Sequence, residues 1–237
     1  MKSAKKPKAI KTPKGEQTKT LILNTALEML HERGYENTTM RAIAQKAGVS
    51  LGNAYHYFGS KDHLIQAFYH QTHDNHLQAS LPVLQKETSL RARLLSVMRL
   101  KIDILEPYHE FAGVLFQTAA DPHSPLNPFA HAAAPVRRDS LKLFEDLVAG
   151  SKARIPDDLR AELPYLLWLY HMGIILFWIH DSSRKQARTY RLIDQTVDLL
   201  DKLISAASNP LMRPVRKRAL RLVVELRDLE AVEDAEE

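Results

Sequence analysis

The sequence predicts an all-α protein, a small three-helix unit followed by a larger helical bundle. Three observations carry this. Apolar residues recur at spacings of three and four in segment after segment, few stretches alternate, and the 237 residues include only 8 glycines. That length gives ample core for one large domain or two smaller ones.

The chain opens on a basic arm, residues 1–17. Lys2, Lys5, Lys6, Lys8, Lys11, Lys14 and Lys19 against Glu16 give 7 − 1 = +6 over the first twenty residues, so the remainder of a chain of net charge +5 sums to −1. With Pro7, Pro13 and Gly15 and almost no apolar side chain, the arm is expected to be disordered in isolation, and it lacks the apolar stretch of a secretory signal. The absence of cysteine excludes disulfides and thiolate metal sites, and fits a reducing cytoplasm.

From Thr18 a long helix is expected, with Leu23, Ala26, Leu27 and Leu30 as its buried stripe, Ile22 and Met29 widening it and Gly34 ending it. Residues 38–64 then read as two short helices joined by a tight turn and the start of a longer third. Met40, Ile43, Ala44 and Ala47 make one apolar face while Arg41, Gln45 and Lys46 stay in water. Thr38 or Thr39 caps the first of these helices and Gly48 closes it. Ser50 is placed to cap the second, Leu51 to Tyr57, whose Ala54, with Val49 and Phe58, packs inward. What remains, Gly52, Asn53, Tyr55, His56 and Tyr57, suits a surface that approaches DNA. Asn addresses base edges, glycine admits close approach, and Tyr and His donate to phosphates. Ser60 caps the next helix, and Lys61 in its first turn adds a positive charge to the dipole end, a phosphate clamp.

Helix, glycine-containing turn and recognition helix are the parts of a helix-turn-helix. Gly34-Tyr35-Glu36-Asn37-Thr38-Thr39, Ile43-Ala44, Ala47-Gly48-Val49-Ser50, Tyr55-His56-Tyr57-Phe58 and Ser60-Lys61 together resemble the N-terminal domain of the tetracycline-repressor (TetR) family of bacterial transcription regulators, across Thr18 to Phe68. Leu51 departs from a position where family members often carry a polar or basic residue, so base preference there is not transferable. The resemblance implies a DNA-binding domain over 18–68 and a ligand-binding and dimerisation domain over 69–208; beyond Pro210 and Pro214, the amphipathic pattern of the extension over 209–237 predicts a further helix. The expected DNA contacts are Thr39, Arg41, Ser50, Leu51, Gly52, Asn53, Tyr55, His56, Tyr57 and Lys61, with Asn53 on a base and Thr39, Tyr55, Tyr57 and Lys61 on phosphates. The lysine arm ahead of the motif is placed to add salt-sensitive affinity.

The fourth helix, from Ser60 to about Ala79, carries Leu64, Ile65, Phe68 and Tyr69 inward, and in the family links the DNA-binding domain to the body. His70, His73 and His76 on its second half do not converge on a metal at 100° per residue and are expected to be solvated or hinge-side. After Pro82 the body begins. Leu90 to Leu105 is amphipathic, with Leu94, Leu95, Val97, Met98, Ile102 and Leu105 inward and Arg91, Arg93, Arg99, Lys101 and Asp103 largely outside. Tyr108 to Ala120 follows, then a proline-rich loop over 121–128, then a helix from about Phe129 to Val148 that Pro135 kinks or truly starts. Leu163 to Ile179 is the most apolar run. It is short for a membrane span, holds His171, and reads as a helix buried on all sides, in part by a second subunit. Thr189 to Ala206 is its companion. In the family the last two long helices form a four-helix dimer interface, and the stripe Leu192, Ile193, Val197, Leu200, Leu203 and Ile204 is the expected contact.

Family members commonly enclose a small molecule in the body. Tyr108, Phe111, Leu115, Phe116, Trp168, His171, Met172 and Ile175 are the expected lining, with His171, Gln117 or Tyr170 as polar anchors for a lipophilic ligand. The implied function is a cytoplasmic, nucleoid-associated, homodimeric repressor released from a palindromic double-stranded DNA operator by a small lipophilic effector, with no cofactor, no metal and no membrane. The alternative is an architectural DNA-binding protein without an effector. No nucleophile–base pair, paired carboxylates or phosphate-binding glycine loop supports an enzyme.

Overall fold

The computed structural model describes residues 14–120, 124, 127–130 and 133–236. Among them are ten α-helices and no strand, as an all-α chain requires. They fall into two compact units that meet in sequence between Phe68 and Tyr69.

The first unit comprises α1 (Lys14–Arg33), α2 (Met40–Lys46), α3 (Leu51–Tyr57) and the opening of α4 (Lys61–Lys86). Helix α1 starts before Thr18, because Glu16 complements the dipole in its first turn and Gly15 lies against the Tyr57 hydroxyl, 3.5 Å from where a Cβ would stand. The basic arm is therefore shorter than 1–17, and Lys2, Lys5, Lys6, Lys8 and Lys11 lie outside the described residues. Ile22, Ala26, Met29 and Leu30 of α1, Ile43 and Ala44 of α2, Ala54 of α3 and Leu64 and Ile65 of α4 are all fully or almost fully removed from water and form the unit's core. Gly34 and Gly48 close α1 and α2 at φ of +75° and +69°, a conformation that a side chain would strain. Thr38 is buried, its hydroxyl 3.1 Å from the Met29 carbonyl oxygen and 2.8 Å from that of Gly34, which leaves Thr39 as the cap of α2.

The second unit holds the rest of α4 with α5 (Leu90–Leu105), α6 (His109–Ala120), α7 (Ala134–Ala149), α8 (Asp157–Ile179), α9 (Ala187–Ala207) and α10 (Arg213–Glu236). Helix α4 runs through Pro82, beyond its expected end at Ala79. Proline costs the Gln78 carbonyl its partner, but Gln78 and Pro82 are on a water-facing side where solvent replaces it. Pro135 sits in the first turn of α7, so it marks that helix's start and Phe129 precedes it.

Helix α8 is the central element, packed by α5, α6, α7, α9 and α10. It is long and apolar enough to cross a membrane by length and composition, yet Leu163, Leu167, Trp168, Ile174 and Trp178 are buried in the unit's core against its neighbours. Beyond it, Asp181 is buried and accepts hydrogen bonds from the Ser183 and Thr189 backbone (2.9 and 2.8 Å) and the Thr189 hydroxyl (2.7 Å). Burial opposes its charge, but the hydrogen bonds from Ser183 and Thr189 prevail and hold the carboxyl down at about 2. This anchors the turn in which Lys185 and Gln186 adopt positive φ.

Arg93 and Lys101 are buried, contrary to the outward placement expected from their charge. They share the i, i+4, i+8 line of α5 with Val97. Arg93 donates to the carbonyls of Leu84 (2.6 Å) and Glu87 (2.5 Å) at the end of α4, and of Asp146 (2.6 Å) and Leu147 (2.8 Å) at the end of α7. One guanidinium thus serves two helix C-termini, and the Asp146 carbonyl also accepts from the Gly150 N–H at 3.1 Å. Along the α5–α9 seam, Arg91 pairs with Asp198, Arg99 with Asp194, and the Tyr190 hydroxyl donates to Asp103.

The extension forms α10. Arg216 pairs with Asp158 at 3.0 Å and also donates to the Ala207 carbonyl, Arg227 pairs with Glu162 at 2.5 Å, and Leu220 is buried. Acids of the N-terminal half of α8 supply the packing that a helix with opposed dipole charges needs.

Candidate functional site

In the first unit, the α2–α3 turn is fixed by three contacts. The Thr39 hydroxyl accepts from the Ala42 N–H at 3.2 Å, the Ser50 hydroxyl accepts from the Asn53 N–H at 3.1 Å, and the Val49 N–H donates to Ala44 at 3.0 Å. Burial of Ala54 and Phe58 sets the rotation of α3. Gly52, Tyr55 and His56 are then exposed, while Leu51, Asn53 and Tyr57 stand half-buried at its margins. Tyr55 keeps half of its surface in water. His56 packs edge-on against Tyr57 at 5.2 Å. A Cβ at Gly52 would meet nothing within 4 Å, so the backbone of α3 is open to close approach. Thr39, Arg41 and Ser50 are exposed beside this face.

Lys61 differs from the expected phosphate clamp. Its ammonium lies 3.9 Å from the Tyr35 ring centroid and donates to the Tyr35 carbonyl at 2.6 Å. Tyr35 in turn donates its hydroxyl to Asp62 at 2.5 Å; burial and then Asp62 push the phenol up to about 12. Lys61, Tyr35 and Asp62 form a latch that holds the start of α4 to the segment after α1. The signal for it lay in Gly34-Tyr35 and in Lys61-Asp62, on either side of the motif.

Capped helices, a glycine turn and an outward polar–aromatic face make a helix-turn-helix reading surface. Residues 22–68 match the family described as bacterial regulatory proteins, tetR family, and residues 93–223 match the tetracyclin repressor-like C-terminal domain. The chain belongs to the TetR family. As a member it is a helix-turn-helix DNA-binding transcriptional regulator, and its family and relatives are not enzymes. It is 44% identical over 52 residues to the HTH-type transcriptional regulator UidR of Escherichia coli K12, a match covering 22% of this chain and 26% of that protein. The chain thus spans about a quarter of the length of that curated relative. A putative TetR-family regulator from Syntrophomonas wolfei shares the fold at a TM-score of 0.64 and 14% identity, over 79% of this chain and 96% of that one. FadR of Bacillus subtilis, solved with stearoyl-CoA, does so at 0.60 and 14%, over 75% and 96%.

In the TetR body, the residues expected to line a cavity do not all meet. Trp168 and His171 are buried; Trp168 stacks with Tyr165 and meets Phe129 edge-on at 5.2 Å. Tyr108, Phe116, Met172 and Ile175 are only half-buried, Phe116 packing against His180 at 6.2 Å. The Phe111, Leu115 and Gln117 side chains lie outside the described residues. Tyr170 is no anchor for that interior, because its hydroxyl bonds Thr196 of α9 at 2.6 Å. His73 and His76 are buried, where solvated histidines were expected; burial, with the charge of Lys101 added, pushes His76 down to about 3, and His73 and His171 are lowered by the same two causes.

The expected dimer stripe divides in two. Ile193, Val197 and Ile204 face the unit's own core, while Leu203 is 55% exposed and Leu192 and Leu200 are half-buried. The reason is angular: at 100° per residue Leu192, Leu199 and Leu203 share one line, and Ile193, Val197 and Ile204 another. Leu199, 54% exposed, was missed. Leu176 and Phe177 of α8 are also exposed, as is Gly173 of the same helix.

Proposed function

We propose that this TetR-family regulator is a cytoplasmic homodimeric repressor that reads a palindromic operator with α3 and is released from it by a small lipophilic effector bound in the helical body. The division of labour follows the sequence: residues 18–68 for DNA, 69–208 for effector and dimerisation, with 209–237 bracing α8.

The observation that carries the DNA reading is the outward face of α3, polar and aromatic on a helix whose other face is locked by Ala54 and Phe58. Asn53 is the base reader, and Tyr55, His56, Tyr57, Thr39 and Arg41 address the backbone. Two such heads would meet half-sites centred about one helical turn, ~34 Å, or somewhat more apart. The exposed apolar side chains of α8 (Leu176, Phe177) and α9 (Leu199, Leu203), with the exposed Gly173 on α8, support self-association through these helices. Support for a lipophilic effector is the aromatic interior around Trp168 and His171, and the relative solved with stearoyl-CoA shares the fold.

The test is the purified protein against operator variants selected from random DNA. Asn53→Ala is expected to flatten the preference at one position of each half-site by about 1–3 kcal/mol while leaving the salt slope intact. An unchanged preference at every position would remove Asn53 from base readout.

A further inference from the structure

The interior of the second unit holds polar side chains that the preceding reading leaves without a task. His73 and His76 of α4, Lys101 of α5 and His171 of α8 are all buried. Three helices bring them to one place. His76 Nε2 lies 2.9 Å from the carbonyl oxygen of Val97, one turn before Lys101. The His76 and His171 rings stack at 5.7 Å with 15° between their planes, and Phe144 flanks His171 at 5.7 Å. The Ser140 hydroxyl stands 3.4 Å from His73 Nδ1. Lys101 stands one turn along α5 from Val97, and its charge lowers the affinity of all three imidazoles for a proton.

This cluster lacks the partners that a finished core provides. Both ring nitrogens of His171 and Nε2 of His73 are buried without a hydrogen bond, as is the nearby Ser80 hydroxyl on α4. Among the described residues no carboxylate or carbonyl pairs with the Lys101 ammonium, on which burial alone acts. Asp74 and Asp139, which bear on His73, are exposed and do not neutralise Lys101. A buried polar group left without a partner loses its hydration and gains nothing in return. Native interiors keep few such groups, so a concentration of them on one spot calls for a ligand.

The chemistry missing from it is a compact anion. The ammonium supplies the counter-charge and neutral imidazoles supply N–H donors, whereas a metal ion would meet the repulsion of Lys101 and two rings stacked face to face rather than converging. Phe144, which flanks His171, is apolar and fully buried, as are Met98 and Ile102 beside Lys101 in the sequence of α5.

We propose that Lys101, His73 and His171 form the binding site for the carboxylate of an acidic lipophilic effector, with Lys101 as counter-ion and the two imidazoles as hydrogen-bond donors. This rests on the reading of the protein as ligand-responsive and narrows the ligand to an acid. Because His73 lies on α4, the helix that starts in the DNA-binding unit, the anion takes hold of the element that runs between the two units.

The experiment titrates wild type, Lys101→Met and Lys101→Gln with straight-chain carboxylates from acetate to dodecanoate and with benzoate, each beside its methyl ester, and with a long-chain acyl-CoA, reading melting temperature, calorimetric affinity and DNA release. Wild type is expected to bind an acid at least about tenfold more tightly than its ester. Lys101→Met is expected to melt higher than wild type without ligand, since an unpaired charge leaves the interior, and to lose that preference for the acid. A merely structural lysine would not couple a gain in stability to a loss of acid binding; Lys101→Gln, which keeps a polar side chain, repeats the comparison. Acids and esters bound equally, no acid bound, or an acyl-CoA bound equally by wild type and the Lys101 variants would each overturn the site. In those cases, release of DNA by a neutral ester or by the acyl-CoA would leave the wider effector reading standing, and release by none of these compounds would count against both.

Discussion

Arg93→Met is expected to destabilise the protein by about 3–5 kcal/mol, because it strips a shared donor from four carbonyls at the ends of α4 and α7, of which that of Asp146 keeps the Gly150 N–H as a partner. Methionine fills the volume but donates nothing, so the orphaned carbonyls must reach water by loosening both helix ends. At fixed protein concentration the urea midpoint should fall with little change in slope. A midpoint within the error of wild type would show that solvent already serves those carbonyls. Gly150 belongs to the same device, since a Cβ there would stand 2.4 Å from Arg93 Nη2 and displace the guanidinium from its acceptors.

If the protein pairs as proposed, Leu199→Asp combined with Leu203→Asp is expected to leave it a monomer and to weaken operator binding by roughly a hundredfold or more, through loss of the second head. Both leucines are more than half exposed and touch little of their own core, so the fold should persist. Light scattering after gel filtration gives the mass, and a thermal melt shows whether the monomer is folded. A double variant that stays dimeric would place the subunit contact elsewhere on the body.

The reading head was the most legible part of the chain because its geometry is local. Thr39, Ser50, Gly34 and Gly48 do their work within three or four residues of themselves, so a spacing in the sequence becomes a contact in space with no tertiary choice between. The body was legible in its helices but not in their facing. Helix α9 is apolar around a wide arc, and one line of it, through Ile193, Val197 and Ile204, was claimed by its own subunit, leaving Leu199 and Leu203 outside. Arg93 and Lys101 carry charge, which argued for water, yet both fall on the line of Val97 and turn inward. For Arg93 the reason is long-range, since its acceptors are helix ends 6 to 54 residues away that no local pattern reveals. Pro82 shows the opposite error: a residue that ordinarily ends a helix is tolerated because the carbonyl it orphans faces water.

The burial of Lys101 and the three histidines sits against the usual trade between stability and function. An interior chosen for stability alone would replace them with aliphatic side chains, as replacement of buried charges often stabilises a protein.

The measurement that tests the account most directly is footprinting of the full-length protein on the DNA upstream of its own coding sequence, over a salt series. The account predicts protection of two half-sites related by a two-fold axis, with centres about one helical turn or somewhat more apart, and an affinity that falls steeply with salt. Uniform protection with no palindrome at any salt concentration would contradict it.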